Sequence, residues 1–257
     1  MNGGRVWAIA ANGFREVIRD RILYLLGLFG LLLVAAVSFL PEVSALTEDK
    51  IFLDFGLGVI GLLTSVVAIF VGTGLISKEI EKHTVLVMIP KPVSPSEFIV
   101  GKHLGLWMVL AVLLLSMTGI YLGLLLASNI IFPLSSIALS LLYLWLELGV
   151  LVATALMFGS FTSSLLAVLL SLAVYVMGHL SPDLVALGKL SKNPTIEAVT
   201  QNLYLVLPDL SRLNFRNEAV YGLVPPSLEL LGSGVYALVY MIVLLTVAIL
   251  IFSRRQF

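Results

Sequence analysis

The stretch LGLWMVLAVLLLSMTGIYLGLLLAS, residues 104–128, carries no charge over its whole length. An α-helix rises about 1.5 Å per residue, so about 20 apolar residues cross the hydrocarbon layer of a bilayer. Inside lipid every backbone N–H and C=O must be paired within the segment, which makes such a run a helix. Comparable runs stand on both sides of it, at 22–40, 55–77, 137–158, 164–180 and 234–252. Only residues 159–163 separate the fourth from the fifth, which is also the shortest. The sequence therefore predicts an all-α membrane protein of six transmembrane helices, forming one domain over residues 1–257.

Composition agrees. Apolar residues make up 60% of the chain and charged residues 12%, where a soluble domain carries about 25% charged residues. A formal charge of zero gives no reason to expect nucleic acid as a partner. With no cysteine, disulfides and thiolate chemistry are excluded. His83, His103 and His179 are too far apart for a local metal-binding motif.

The first run has a small-residue cleavage pattern after it, Val43 and Ala45. It exceeds the usual length of a signal-peptide core and about twenty residues precede it, so it reads as a retained span. Lysine and arginine near the span ends set orientation. With the N-terminus inside, Arg5, Arg15, Arg19, Arg21, Lys78, Lys82, Lys91, Lys102, Arg254 and Arg255 are cytoplasmic, and the short outer loops hold only Lys50. Both termini are thus expected in the cytoplasm, with residues 181–233 as an extracytoplasmic loop.

Ahead of the first span, Val6, Trp7, Ala10, Phe14, Val17 and Ile18 recur at helical spacing among Arg15, Glu16, Arg19 and Asp20. This predicts an amphipathic helix over 1–21 lying at the membrane surface, with Trp7 suited to the headgroup zone; the plainer reading is a charged flank. The cytoplasmic stretch 78–103 mixes charges with Pro90, Pro92 and Pro95, which stop helices and fix turns. In the outer loop, Ile196 to Leu207 has the character of a short helix between proline breaks.

Glu147 sits at the centre of the fourth span. A carboxylate there costs about 3 kcal/mol on insertion scales, so it is expected to face a bundle interior, a subunit interface or a water-filled cavity. It is either a residue of a substrate or ion path or a structural carboxyl hydrogen-bonded to a neighbouring helix. His179, at the outer end of the fifth span, reads as an interfacial residue rather than a proton relay.

No nucleotide site is legible. Gly101-Lys102 is a Gly-Lys pair, but His103 follows it and Ser96 stands where the first P-loop glycine belongs. Neither a His-Glu-x-x-His zinc motif nor a Gly-x-Ser-x-Gly elbow occurs. No catalytic, cofactor or metal site is expected in this chain.

Ser77-Lys78-Glu79-Ile80-Glu81-Lys82-His83-Thr84, then Lys91-Pro92-Val93-Ser94, Glu97-Phe98 and Gly101-Lys102, resembles permease subunits of type 2 ABC transporters. Trp7, Phe14, Arg15-Glu16 and Arg19-Asp20-Arg21 are similar to the family's opening, and Asn202-Leu203-Tyr204 to Pro208 with Asn214-Phe215 to the outer segment of some members. The resemblance implies a permease subunit of an exporter in a prokaryotic inner membrane. It would pair with a second permease copy or homologue and with ABC ATPase subunits that carry the ATP and Mg²⁺. It places a coupling helix in the loop 78–103, with Lys78, Glu79, Glu81, Lys82, Thr84 and Leu86 as partner-coupling residues, and a smaller contact at 159–163. The plainer reading of that loop is a solvated linker. A gradient-driven carrier with Glu147 as its ion-coupling group, and a non-transporting membrane scaffold, are the rival readings. Leu, Val and Ile dominate the spans, which suits a hydrophobic or amphipathic cargo better than a long glycan, unless the path runs between subunits.

Overall fold

The computed structural model describes residues 2–19, 22–43, 48–81 and 94–254. Among them the chain is helical with no strand: α1 (Gly3–Arg19), α2 (Ile22–Val43), α3 (Glu48–Glu81), α4 (Pro95–Ala127), α5 (Leu134–Gly159), α6 (Ser164–His179), α7 (Ser181–Leu190), α8 (Pro194–Val206), a 3₁₀ turn (Leu210–Leu213), α9 (Arg216–Tyr221) and α10 (Ser227–Arg254). Four helices are long and apolar enough to cross a membrane, namely Asp49–Ile76 within α3, then α4, α5 and α10. The pair α6 and α7, bent by 65° at their junction, makes a fifth if it counts as one span. α2 is apolar too.

α5 is the centre of the bundle. Every residue from Glu147 to Leu156 is buried, so all its faces are covered, as a helix apolar all round requires. It packs against α3, α4, α6, α9 and α10. α10 is the opposite case: Leu231, Val235, Leu238, Val239, Ile242 and Val243 stay exposed, an apolar surface of the kind a bilayer covers. Three buried threonine hydroxyls within the apolar helices bond to their own backbone. Thr64 donates to the Ile60 carbonyl, Thr73 to Ile69 and Thr154 to Val150, which satisfies them without a partner helix.

Two helices run further than the apolar runs that announce them. α3 begins at Glu48, so Glu48 and Asp49 occupy its first turn, where the positive end of the helix dipole favours acidic side chains. α4 begins at Pro95 rather than near Leu104. Ser94 caps it: its hydroxyl accepts from the Glu97 N–H, the Glu97 carboxylate accepts from the Ser94 N–H, and Pro95 takes the first helical position. The Pro95 that the sequence reading assigned to a turn is thus a helix start, a position that lacks nothing by having no N–H. Within the stretch 78–103, residues 78–81 and 95–103 are therefore helix. α10 likewise starts at Ser227, and the stretch 181–233 holds α7, α8, the 3₁₀ turn and α9. The expected short helix at Ile196–Leu207 corresponds to α8.

α1 lies along the first half of α4. Val6, Ala10, Gly13 and Val17 are buried on one side of it, while Trp7, Arg15 and Glu16 are exposed. Gly101 and Gly105 make the approach possible: a Cβ at Gly101 would fall 2.8 Å from Ile9, and one at Gly105 would fall 2.7 Å from the Ala10 carbonyl oxygen. Small residues four apart are the usual means of bringing helices close in an apolar setting. The N-terminal end is pinned as well, since the Asn2 N–H donates to the buried Glu97 carboxylate at 2.6 Å and Arg5 stands 3.9 Å from it.

Candidate functional site: a polar vestibule between α3, α5 and α6

One face of α5 carries Ser140, Leu141, Leu144 and Glu147, spaced so that all four share a side. Opposite stand Leu57, Gly58, Gly61, Leu62 and Ser65 of α3, Tyr175 and His179 of α6, and the 213–216 turn. These enclose a cavity of about 320 Å³. Its floor is Glu147, only 3% exposed. Its mouth is Arg216, whose side chain is 42% exposed. From Ser140 to Glu147 the α5 face descends about 10 Å.

The His179 Nε2 lies 3.4 Å from the Glu147 Oε1. On the other side of the ring, Nδ1 is 3.1 Å from the Tyr175 carbonyl oxygen, and the Tyr175 ring tilts against the imidazole with centroids 4.7 Å apart. At the mouth, Arg216 forms a two-pronged pair with Asp54 of α3, Nε to Oδ1 at 2.7 Å and Nη2 to Oδ2 at 3.1 Å. Gly58 leaves room for it: a Cβ there would fall 2.8 Å from Arg216 Nη1. Of the residues lining the cavity, only Glu147, His179 and Arg216 carry or can acquire charge near neutral pH.

Beside the vestibule a second polar cluster fixes the segment between α6 and α10. The Asp209 carboxylate accepts from Ser181 Oγ at 3.0 Å, Tyr204 Oη at 3.0 Å, Arg212 Nε at 2.9 Å and Ser211 Oγ. Its own N–H donates to Tyr236 Oη at 2.7 Å, and Tyr240 Oη donates to the Val206 carbonyl. Burial alone pushes the Asp209 carboxyl up, but the four donors outweigh it and hold its pKa below the ordinary aspartate value. Hydrogen bonding to Tyr204, and then to Asp209, raises Arg212 in turn. The cluster ties the α6–α7 junction, α8, the 3₁₀ turn and α10 into one cap.

On the far side of α5, Trp107 of α4 and Trp145 stack at 4.1 Å between centroids, nearly parallel at 8°. Each indole N–H donates to the other's backbone carbonyl, at 2.8 and 3.2 Å. His103 Nε2 meets the Gly149 carbonyl at 3.0 Å one turn on. α4 and α5 are thereby clasped into a pair.

A model of the family described as ABC-2 family transporter protein matches residues 7–257, nearly the whole chain. The chain belongs to the ABC-2 transporter family. No curated protein matches it. As an ABC-2 transporter protein it is an integral membrane protein with a transport role.

Of the residues singled out in the sequence, Glu147 is in the vestibule of this ABC-2 protein. Lys78, Glu79 and Glu81 fall in the last turn of α3, while Lys82, Thr84 and Leu86 lie outside the described residues. Sequence reasoning missed the partnership of Glu147 with His179 and that of Asp54 with Arg216. One signal was present: Tyr175 and His179 stand four apart on one helix. Among the described residues, no three His, Asp or Glu side chains converge as a metal site would need.

Proposed function

We propose that this chain is the membrane-spanning permease subunit of an ATP-driven exporter, seated in a prokaryotic inner membrane beside a second copy or homologue. The observation that carries this reading is the family match over residues 7–257, set beside a sequence with no nucleotide motif of its own. ATP and Mg²⁺ then belong to separate ABC ATPase subunits. In this reading α2 and α6 are crossings as well, giving six, and both termini are cytoplasmic. α1 rests in the headgroup plane, with Trp7, 64% exposed, toward the interface.

The partner docks on the cytoplasmic stretch between α3 and α4, through Lys78, Glu79, Glu81, Lys82, Thr84 and Leu86. Support comes from the helices on either side. α3 continues to Glu81, past the apolar window that ends at Ile76, and α4 starts from a fully capped turn at Ser94. A push on the connecting stretch is therefore delivered to two stiff helices, one of them clasped to the central α5.

Reversing the charges of Glu79 and Glu81 together tests the assignment. The expected result is loss of ATPase pull-down, or of substrate-stimulated hydrolysis in reconstituted vesicles, with insertion intact. Unchanged binding and coupling would remove the docking role from this stretch. Transport by the chain alone, with no ATPase co-purifying, would put the gradient-driven carrier in its place. Orientation is tested by single cysteines in the naturally cysteine-free chain. Those at Ser44, Ser135 and Ser191 should react with an impermeant thiol reagent outside, and those at Ser94 and Ser253 should not.

A further inference from the structure

We propose that Glu147 and His179 form a proton-binding site, served by water in the vestibule from the extracytoplasmic side. The word extracytoplasmic rests on the orientation proposed above; the site itself does not.

The geometry fixes which atoms meet. A backbone carbonyl only accepts, so the His179 nitrogen that bonds the Tyr175 oxygen at 3.1 Å carries a hydrogen. Nε2 is then the nitrogen that faces Glu147 Oε1, 3.4 Å away. With one proton between them the pair is neutral in either arrangement, as carboxylic acid against imidazole lone pair or as carboxylate against imidazolium. Without it, a carboxylate faces a lone pair and a net negative charge is left with no donor on the imidazole edge. With a second proton the pair is positive. Burial at the floor of an apolar bundle disfavours both charged states, so the pair is built to hold one proton.

The surroundings supply its route. A separation of 3.4 Å is long for a direct hydrogen bond and leaves the pair adaptable, closing on its proton or admitting water. A cavity of about 320 Å³ is many times what one water needs, and the hydroxyls of Ser65, Ser140 and Tyr175 line it. The charged groups that bear on the pair are Arg216 of α9, Asp54 of α3 and Asp209 before the 3₁₀ turn. Arg216 and Asp54 neutralise each other at the mouth, and Asp209 is engaged by its four donors. The mouth therefore presents no uncompensated charge to repel a hydrated proton. In the loading step an O–H bond of a vestibule hydronium breaks, a bond to Glu147 Oε1 or His179 Nε2 forms, water remains, and the pair goes from minus one to zero.

The test uses the full chain in lipid nanodiscs, ¹⁵N-labelled at histidine, titrated by NMR and by infrared difference spectroscopy. In wild type, the His179 nitrogen signal and the carboxylic acid C=O band of Glu147 should move over one shared pH interval. In Glu147→Gln the band should vanish and the His179 interval be displaced by at least about one pH unit, the signature of strongly coupled groups, with His103 as the unmoved reference. In His179→Gln the acid band should shift its interval likewise, which keeps the test open if one variant fails to fold. Unmoved intervals in the variants that fold would overturn the proposal. For access, Ser140→Cys should react with an impermeant thiol reagent from outside in right-side-out vesicles. No reaction from either side would overturn the water route. Reaction from the cytoplasmic side alone, with Ser94→Cys and Ser253→Cys still protected from outside, would overturn extracytoplasmic access; external labelling at those two positions instead overturns the orientation and leaves the coupled proton site standing.

Discussion

The α1–α4 contact and the vestibule between α3, α5 and α6 join helices by opposite means. At the first, Gly101 and Gly105 bring one helix onto the backbone of another, with no volume to spare. At the second, side chains meet across a cavity through charge and hydrogen bonds, and glycine at Gly58 serves only to seat Arg216. Packing of the first kind has one solution and resists displacement. The second kind has several states of similar energy, because its partners can exchange protons, water or one another. The protein keeps its stiff junction at the N-terminal end of α4 and its compliant one at the C-terminal end of α6.

Substitutions that break each junction should reveal the contrast. Gly105→Val places branched carbons against the Ala10 backbone, which has no rotamer to yield. A loss of about 3 kcal/mol, read as a lowered thermal midpoint in detergent, is expected, whereas Gly119→Val, with nothing within 4 Å of its Cβ, should be nearly silent. A Gly105→Val protein as stable as wild type would show that α1 is not seated on α4.

Next in size is the cap around Asp209. Asp209→Ala removes the acceptor shared by four donors, the buried Ser181 hydroxyl among them, for a loss of about 2 kcal/mol. The sign of the pH dependence follows from the depressed pKa. Stability from Asp209 is fully present above the unfolded aspartate value of about 3.9 and is lost as pH falls through the lower folded value. The difference in thermal midpoint between wild type and Asp209→Asn should therefore narrow below about pH 4. A difference that stays constant or widens there would contradict the assignment.

Trp107→Phe keeps a ring on Trp145 but removes the N–H to its carbonyl, so about 1 kcal/mol should go. Smallest is Arg216→Gln: both side chains of its ion pair are 42% exposed, and such pairs contribute at most about 1 kcal/mol. If Arg216→Gln instead destabilises as much as Gly105→Val, the vestibule is a rigid junction and the contrast fails.

The spans were legible because lipid leaves the backbone one solution, so apolar run and helix coincide over residues 104–127 and 137–158. The ends were not, since helices continue wherever their termini can be satisfied. Ser94-Pro95-Ser96-Glu97 is a complete N-terminal signature, yet beside Pro90 and Pro92 it read as part of a turn. Glu147 stood out by its cost in an apolar run. Its partner did not, because His179 sits at the end of a different helix and only the rotation of α6 against α5 brings it near. Gly101 and Gly105, four apart, were a readable seat for a neighbouring helix, but nothing in their own stretch names α1 as the occupant.

α6 is 16 residues long before the chain turns by 65° into α7, a length of about 24 Å. As a crossing it falls short of a hydrocarbon layer about 30 Å thick. A bilayer meets so short an apolar wall by thinning around it, and here the thinning would be one-sided, since α3 and α5, against which α6 packs, are longer. His179 terminates α6, so the hydrophobic mismatch would draw the leaflet at that end in around the very residue that faces Glu147, and lipids of greater chain length would deepen that residue's burial. Membrane thickness would thereby become a variable that the protein senses through a single abbreviated helix.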